Sequence, residues 1–186
     1  MRFSVSANIV ERIRRRDEAA FNELLAVAGP PLIGFAMSYG HSYDDAEDLL
    51  QGVLVGVWRM GERFAPTVSI EAYLFSAVRN AAVRAIRTAG TQERYARRYA
   101  ADAAIEQSVS MPAFPGESDR ADELARLRQS LDALTEHQRT AFTLRYGQEM
   151  TIAEIAHVLG ITPKGVERLM TRINKLIRDQ IVGDGS

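Results

Sequence analysis

The sequence of 186 residues predicts an all-α fold of two small helical domains joined by a flexible acidic linker. Apolar residues recur at helical spacing almost throughout, and no convincing period-two alternation indicates a strand. The segment SVSMPAFPGES at 108–118 contains two prolines and a glycine, which is typical of a linker. Helical patterns resume beyond it. We therefore place the domains at 1–100 and 119–186, with the linker at 101–118.

The composition is that of an ordinary globular protein, with 46% hydrophobic and 25% charged residues and no cysteine. The lack of cysteine excludes a disulfide scaffold, a thiolate zinc site and a cysteine nucleophile. The longest strongly apolar stretch, residues 53–58, is far shorter than the ~20 residues of a membrane span. The amino terminus lacks the order of a signal peptide. We expect a cytoplasmic protein with no membrane insertion.

Local signals bound each helix of the first domain. An amphipathic helix over 9–27 is expected to end at Gly29-Pro30-Pro31, and a second over 32–39 to end at Gly40. Ser42 is a candidate cap for a third helix reaching about residue 63. Ser69 is a candidate cap for a fourth, over about 70–88. After Gly90 we expect the chain to resume as a basic helix.

The second domain carries two capping boxes and a helix-turn-helix pattern. Thr135 with Gln138, and Thr151 with Glu154, each begin a helix. Gly160 permits a sharp turn, and Pro163 suits the first position of the helix that follows.

The helix beginning at Pro163 divides into an apolar and a basic side. The residues expected to pack inward are Val166, Leu169, Ile173 and Leu176. The opposite side presents a basic, hydrogen-bonding face suited to a DNA major groove, made of Lys164, Arg168, Thr171, Arg172 and Lys175. The plain alternative is a helical hairpin with a solvated basic face. A small crossing residue, a glycine turn and a basic face found together favour DNA binding.

The net charge of −1 hides a strong asymmetry. Residues 79–98 hold six Arg and one acid, and residues 164–178 hold five basic residues and one acid. Residues 102–123, between them, hold six acids and one Arg. A single basic run is more often a solvated helix face. Two of them flanking an acidic stretch are typical of a protein that contacts nucleic acid twice.

The helix from residue 70 presents a polar side that could grip phosphates and exposed bases, formed by Ser76, Asn80, Arg84 and Arg87 with Arg79 beside it. Phe64, Tyr73 and Phe75 lie near its start, either as a platform for an unstacked base or as core residues. In the preceding helix, Gly52 and Gly56 allow either close approach by a partner or crowded packing inside the domain.

These residues together resemble a known family. Residues 45–51 (DAEDLLQ), with Val57-Trp58 after them, are similar to the region 2 signature of bacterial sigma factors, and Arg79-Asn80 is similar to its DNA-reading segment. Residues 134–139 and 142–146, then Ile155-Ala156 and Gly160-Ile161, resemble region 4. Two regions with only a short linker match the extracytoplasmic-function (ECF) group. Gly52 and Arg84 stand where the family often has an acid.

The resemblance implies a factor that binds core RNA polymerase and directs it to promoter DNA, without catalysis of its own. Region 2 is then expected to melt the minus-ten element and region 4 to read the minus-thirty-five element. The DNA contacts would come from Arg79, Asn80, Arg84, Arg87, Lys164, Arg168, Thr171, Arg172 and Lys175. The polymerase contacts would come from Asp48, Leu49, Gln51 and Trp58. An anti-sigma factor is an implied partner, and no cofactor or metal is expected.

Two other classes remain to be weighed. A LuxR-type helix-turn-helix regulator shares the region 4 pattern, but the first hundred residues lack the alternating strands and helices of a receiver or ligand domain. An enzyme is disfavoured because His41, His137 and His157 have no metal-ligand spacing and no glycine-rich phosphate loop is present.

Overall fold

The computed structural model describes residues 5–6, 8–99 and 134–182, and in these ranges the chain is helical and contains no strand. The all-α prediction is thus confirmed. The predicted linker and the helix expected from residue 119 lie outside the described residues. The helices are α1 (Ile9–Arg14), α2 (Glu18–Met37), α3 (Tyr43–Met60), α4 (Ile70–Tyr99), α5 (Glu136–Phe142), α6 (Ile152–Leu159) and α7 (Pro163–Val182).

The helices α1 to α4 pack around an apolar core. Leu24 of α2, Leu50 of α3 and Leu74 of α4 are all buried there. The rings of Phe35 and Phe75 meet edge to face at 4.9 Å, which joins α2 to α4. The helix α2 packs against both α3 and α4. On the side away from this core, α3 and α4 each carry exposed residues.

The predicted unbroken helix over 9–27 is wrong. The helix α1 ends at Arg14, and the chain turns at Arg16, whose φ is +57°. Asp17 then caps α2, because its carboxylate accepts from the amides of Ala19 and Ala20 at 2.9 and 3.2 Å. This local capping outweighs the amphipathic periodicity of the segment.

The predicted break at Gly29-Pro30-Pro31 is also wrong, since α2 runs through all three residues. The two prolines deprive the carbonyls of Ala26 and Val27 of their helical donors. Those two residues lie on the exposed side, where water can hydrate the carbonyls. Ala28 and Leu32, on either side of the prolines, are both buried. Packing of the flanking residues therefore keeps the helix continuous.

This continuity makes α2 the one described helix that is long and apolar enough to cross a membrane, with a mean hydropathy of 1.3. Sequence reasoning predicted a break at the prolines, and it therefore took residues 53–58, and not α2, as the longest apolar stretch. Length and composition alone are weak evidence for a span, since a core helix meets the same test. One side of α2 lies in the core formed with α3 and α4.

The caps predicted for α3 and α4 are confirmed. The Ser42 hydroxyl accepts from the amide of Asp45 at 3.1 Å, and the Ser69 hydroxyl accepts from the amide of Ala72 at 3.3 Å. A 3₁₀ turn at Gly61–Arg63 follows the end of α3. The helix α4 continues to Tyr99 instead of ending near residue 88.

Both predicted capping boxes and the helix-turn-helix are also confirmed. A π-helical turn at Thr143–Gly147 follows α5. Gly160 adopts a left-handed conformation with φ of +66° between α6 and α7, which a residue with a side chain rarely adopts. Val166 and Ile173 are fully buried as expected. Leu176 is 39% exposed, so its predicted inward packing is wrong, and Met170 is buried on that side instead.

The two groups of helices contact each other directly. Their buried apolar residues form one continuous cluster, and α4 packs extensively against α6. The hydroxyl groups of Tyr39, just after α2, and Thr140 of α5 are hydrogen-bonded at 2.8 Å. Burial raises the pKa of the Tyr39 phenol.

Candidate nucleic-acid interface

The helix-turn-helix is fixed at the start of α7 by Thr162. Its hydroxyl accepts from the amide of Gly165 at 3.1 Å, and its carbonyl accepts from the amide of Val166 at 3.1 Å. A Cβ on Gly165 would lie 3.3 Å from this hydroxyl, so glycine leaves room for the cap. Thr162 therefore caps the first turn of α7.

All five residues predicted for the DNA face of α7 are exposed. Their numbers increase by four, three, one and three, so they form one stripe about 17 Å long. The Thr171 hydroxyl donates to the carbonyl of Glu167 at 2.9 Å, which leaves its oxygen as an acceptor. In the described part of the chain, no hydrogen bond or ion pair engages the four charged side chains, Lys164, Arg168, Arg172 and Lys175.

Three of the four DNA-binding residues predicted on α4 share an exposed face. Asn80, Arg84 and Arg87 are all exposed and recur at spacings of four and three residues. The structure thus brings a carboxamide and two guanidinium groups together along about two turns of helix.

Arg79, the fourth of these residues, lies elsewhere. Its side chain is only 14% exposed, and its Nη2 atom lies 4.0 Å from the carboxylate of Glu136 and 3.4 Å from Nε2 of His137. Both partners belong to α5. In this structure Arg79 therefore faces the other group of helices and not the solvent.

The residues predicted to contact polymerase lie along α3. Asp48 and Gln51 are exposed, whereas Leu49 and Trp58 are half-buried. The Trp58 ring packs edge to face on Phe21 at 4.5 Å, which fixes its orientation.

The two glycines of α3 are not explained by crowding inside the protein. A Cβ on Gly52 or Gly56 would meet no atom within 4 Å. Gly52 lies beside Asp48 and Gln51, and the adjacent Val55 is 47% exposed. This face of α3 is therefore an open surface with accessible backbone, which favours close approach by a partner.

The aromatic residues near the start of α4 are mostly core. Phe64 and Phe75 are buried, so neither ring is available to stack on a base in this structure. Tyr73 is half-buried, packs edge to face on Phe64 at 5.2 Å, and donates its hydroxyl to the sulfur of Met60 at 3.7 Å.

No group of three metal-ligating side chains occurs in the described ranges. His41 contacts the Ala82 carbonyl at 3.1 Å, and His137 lies against Arg79. The residues predicted for the interfaces carry cationic, carboxylate, amide, hydroxyl and apolar side chains.

Sequence reasoning missed the contact between the two groups of helices. Glu154 was expected only as a helix cap, yet its second carboxylate oxygen accepts from the hydroxyl of Ser69 at 2.5 Å. Thr140 is buried and binds Tyr39, although nothing in its local pattern distinguishes it. Such partners lie 85 and 101 residues apart, so no local signal could have paired them.

Comparison with known proteins identifies the two halves. The family Sigma-70 region 2 matches residues 25–92, and the family Sigma-70 region 4 matches residues 124–176. The RNA polymerase sigma factor CarQ of Myxococcus xanthus is 30% identical, with 86% of this chain and 87% of that protein covered. The chain belongs to the sigma-70 family, in its ECF group.

A further relative of this chain is also a sigma factor of the ECF group. The ECF RNA polymerase sigma factor RpoE of Cereibacter sphaeroides is 28% identical, over 85% of this chain and 83% of that protein. Two solved structures share the fold. The sigma factor RpoE of Bartonella quintana, in complex with the anti-sigma factor NepR, gives a TM-score of 0.63 at 24% identity, covering 88% and 98% of the two chains. CnrH, in complex with the cytosolic domain of CnrY, gives 0.61 at 23%, covering 95% and 97%.

A sigma factor directs core RNA polymerase to specific promoters, and sigma factors are initiation factors rather than enzymes. The region 2 match spans most of α2, all of α3 and most of α4. A LuxR-type regulator is therefore not favoured. The region 4 match includes α5, α6 and most of α7.

Proposed function

We propose how this sigma factor divides its work among its helices. The face of α3 with Asp48, Leu49, Gln51 and Trp58 binds core polymerase. The helix α4 acts on the minus-ten element through Arg79, Asn80, Arg84 and Arg87. The helix α7 reads the minus-thirty-five element through Lys164, Arg168, Thr171, Arg172 and Lys175.

The observation that carries this proposal is the unpaired basic stripe on α7, the second helix of a helix-turn-helix in region 4. Free guanidinium and ammonium groups on an exposed helix can bind phosphates and base edges in a major groove. The open backbone at Gly52 and Gly56 supports the polymerase contact on α3.

The proposal also includes the organisation and setting of the chain. Region 2 occupies 1–100, a linker follows at 101–118, and region 4 occupies 119–186. The protein acts in the cytoplasm, catalyses no reaction itself, and is held inactive by an anti-sigma factor. The complex of Bartonella quintana RpoE with an anti-sigma factor supports that last part.

The test is run-off transcription with purified core polymerase on a fragmented genomic library, with a pull-down of polymerase in parallel. We expect transcripts that depend on the sigma factor, and alignment of their start sites should supply both promoter elements. The double variant Asp48→Ala/Gln51→Ala changes two residues of the proposed polymerase face. Its control is Glu47→Ala, at another exposed residue of α3. Absence of both transcripts and polymerase association would contradict the proposal.

A further inference from the structure

The two lysines of the sequence lie on the same face of one helix. The sequence has 23 basic residues, of which only Lys164 and Lys175 are lysine and all the others are arginine. Both belong to the exposed stripe of α7, and they stand at its two ends, about 17 Å apart along the axis. Their spacing is close to three helical turns, so they occupy the same side of the helix. Every side-chain amine of the sequence is therefore placed on the face proposed to bind DNA.

Exposure does not explain why these two positions carry lysine. Exposed basic positions elsewhere are arginine, including Arg15 of α1, Arg63 in the 3₁₀ turn and Arg84 of α4. Within the stripe itself, Arg168 and Arg172 are exposed too, and they are unpaired in the described part of the chain. Lysine is thus not the ordinary choice of this sequence for a solvated positive charge.

Binding to DNA does not explain the choice either. An arginine binds a phosphate or a guanine edge at least as well as a lysine does, because its planar fork donates two parallel hydrogen bonds. Lysine differs in carrying a primary amine, which an acyl group converts into a neutral amide, whereas the guanidinium of arginine keeps its charge. The two ends of the stripe are therefore the positions at which its charge can be removed chemically.

Both amines are accessible to a small reagent. Lys164 and Lys175 are exposed, and neither takes part in a hydrogen bond or ion pair with the residues that the structure describes. Residues 164–178 hold five basic side chains and one acid, so the surface around both amines is positive. A positive surface raises the local concentration of an anionic reagent. The stripe therefore favours encounter with an anionic acyl donor.

Resting on the proposed function, we infer that Lys164 and Lys175 are acylation sites that control the affinity of α7 for DNA. The donor is an activated acyl compound, either an acyl phosphate or an acyl thioester, and transfer is direct. The unprotonated Nζ attacks the carbonyl carbon of the donor and forms a nitrogen–carbon bond. The bond from that carbon to the phosphate oxygen or thiol sulfur breaks, and the leaving group takes the bonding electrons. One amine proton passes to solvent, which leaves a neutral amide.

Acylation at both sites halves the charge of the stripe, which carries four cationic side chains. Each phosphate contact contributes about one to the salt slope of DNA binding, so each acylation should weaken promoter binding about eight-fold at about 0.1 M monovalent salt. DNA should in turn shield the amines, because an ammonium group held against a phosphate cannot attack the donor. The modification therefore acts on the factor before it reaches a promoter.

Three full-length variants test this inference. The double variant Lys164→Arg/Lys175→Arg keeps both charges and removes both acceptor amines. The double variant Lys164→Gln/Lys175→Gln removes both charges without a donor. The control for removal of charge is Arg15→Gln, at an exposed arginine of α1 that lies outside the stripe. Urea midpoints close to that of the parent chain verify that each variant is folded.

Acylation is measured first on the free full-length chain. The chain is incubated with acetyl phosphate in one arm and with acetyl coenzyme A in the other, and the modified residues are located by mass spectrometry. We expect acetyl groups at both lysines, and the arm that reacts identifies the donor. Core polymerase and a promoter duplex, added together, should slow the reaction at both lysines. Acetylation of the terminal amine alone, in both arms, would overturn the inference.

Promoter binding is measured next, with core polymerase loaded with acetylated or untreated factor. The loaded polymerase is titrated onto a duplex with both promoter elements across a range of salt. Acetylation of the parent chain should weaken binding about eight-fold per lysine and lower the salt slope by about one per lysine. The glutamine variant should show this weakening without treatment. The arginine variant should bind like the parent chain and keep its affinity after treatment, and Arg15→Gln should match the untreated parent.

Three results of the binding experiment would also overturn the inference. Unchanged affinity after acetylation of both lysines would show that their charges do not matter. An equal loss in the treated arginine variant would place the effect at another group. A large loss in the untreated arginine variant would show that the DNA contact itself requires lysine. Failure of the untreated parent chain to form promoter complexes would instead contradict the proposed function, while mass spectrometry on the free chain would still decide whether the lysines are acylated.

Discussion

Ser69 and Glu154 are 85 residues apart, yet the hydroxyl of one donates to the carboxylate of the other at 2.5 Å. Ser69 caps α4, and Glu154 completes the capping box of α6 by accepting from the amide and hydroxyl of Thr151, both at 2.9 Å. One carboxylate therefore serves the amino-terminal ends of two helices, where the helix dipoles favour a negative charge. This relationship joins region 2 to region 4.

The double role of Glu154 predicts an unusually costly capping mutation. Glu154→Ala should lower the free energy of unfolding by about 2–3 kcal/mol, because it removes a cap and a charge-assisted hydrogen bond. The control is Gln138→Ala in the other capping box, where Gln138 accepts only from Thr135 in the contacts seen here. It should cost about 1 kcal/mol. Equal losses in urea titrations would show that the bond to Ser69 contributes nothing.

Local signals in the sequence were enough for most helix ends. Ser42, Ser69 and Thr151 each offer a hydroxyl next to unpaired amides, and a cap of this kind acts within four residues. The helix-turn-helix could also be predicted, because its glycine turn and its apolar side occupy a short segment. The exposure of Arg168 and Arg172 followed from the same helical spacing.

The errors arose where distant packing decides the outcome. The helix α2 passes through Pro30 and Pro31 because buried neighbours on both sides keep it in place, and local rules predict a break there. Arg79 and Asn80 are adjacent in sequence, but only Asn80 faces solvent, since α5 covers its neighbour. The sequence left the packing of the two regions open, and partners about 60 to 100 residues away determine it.

The cluster of Arg12, Asp17 and Glu23 predicts how the amino-terminal group of helices responds to acid. Arg12 contacts both carboxylates at 2.7 Å. The hydrogen bond from Arg12 lowers the pKa of Asp17, and hydrogen bonds from Ser6, followed by Arg12, lower the pKa of Glu23. The folded chain thus binds protons at these groups less readily than the unfolded chain.

Their contribution to stability is therefore complete above the ordinary carboxyl pKa values of about 4, and is lost as the pH falls through the lowered values. Arg12→Gln should lower the free energy of unfolding near neutral pH. The free energy of unfolding of this variant should then fall less steeply than that of the parent chain as the pH is lowered. Arg15→Gln, at a more exposed partner of Glu11, is the matched control. Parallel pH profiles for the parent chain and Arg12→Gln would rule out this linkage.

Gly52 offers a test in which stability and binding should change in opposite directions. A Cβ there meets nothing within 4 Å, so Gly52→Ala should stabilise α3 by about 0.5–1 kcal/mol in urea unfolding. If polymerase approaches the helix backbone at this point, the same methyl group should weaken its affinity for the sigma factor. Gly34→Ala, at an equally open position on α2, should stabilise the chain to unfolding without weakening its affinity for polymerase. Unchanged polymerase affinity in Gly52→Ala would place the contact elsewhere.

The stripe on α7 predicts which residues specify sequence and which supply general affinity. Arg168 is exposed and unpaired in the second turn, close to the amino-terminal end that enters a major groove. Arg168→Ala should reduce discrimination between a promoter and a scrambled minus-thirty-five element by about 1–3 kcal/mol, if its guanidinium reads a base edge. Binding of polymerase loaded with the sigma factor, measured on both duplexes across a range of salt, tests this. An equal loss on both duplexes, with the salt slope reduced by about one, would make Arg168 a phosphate contact instead.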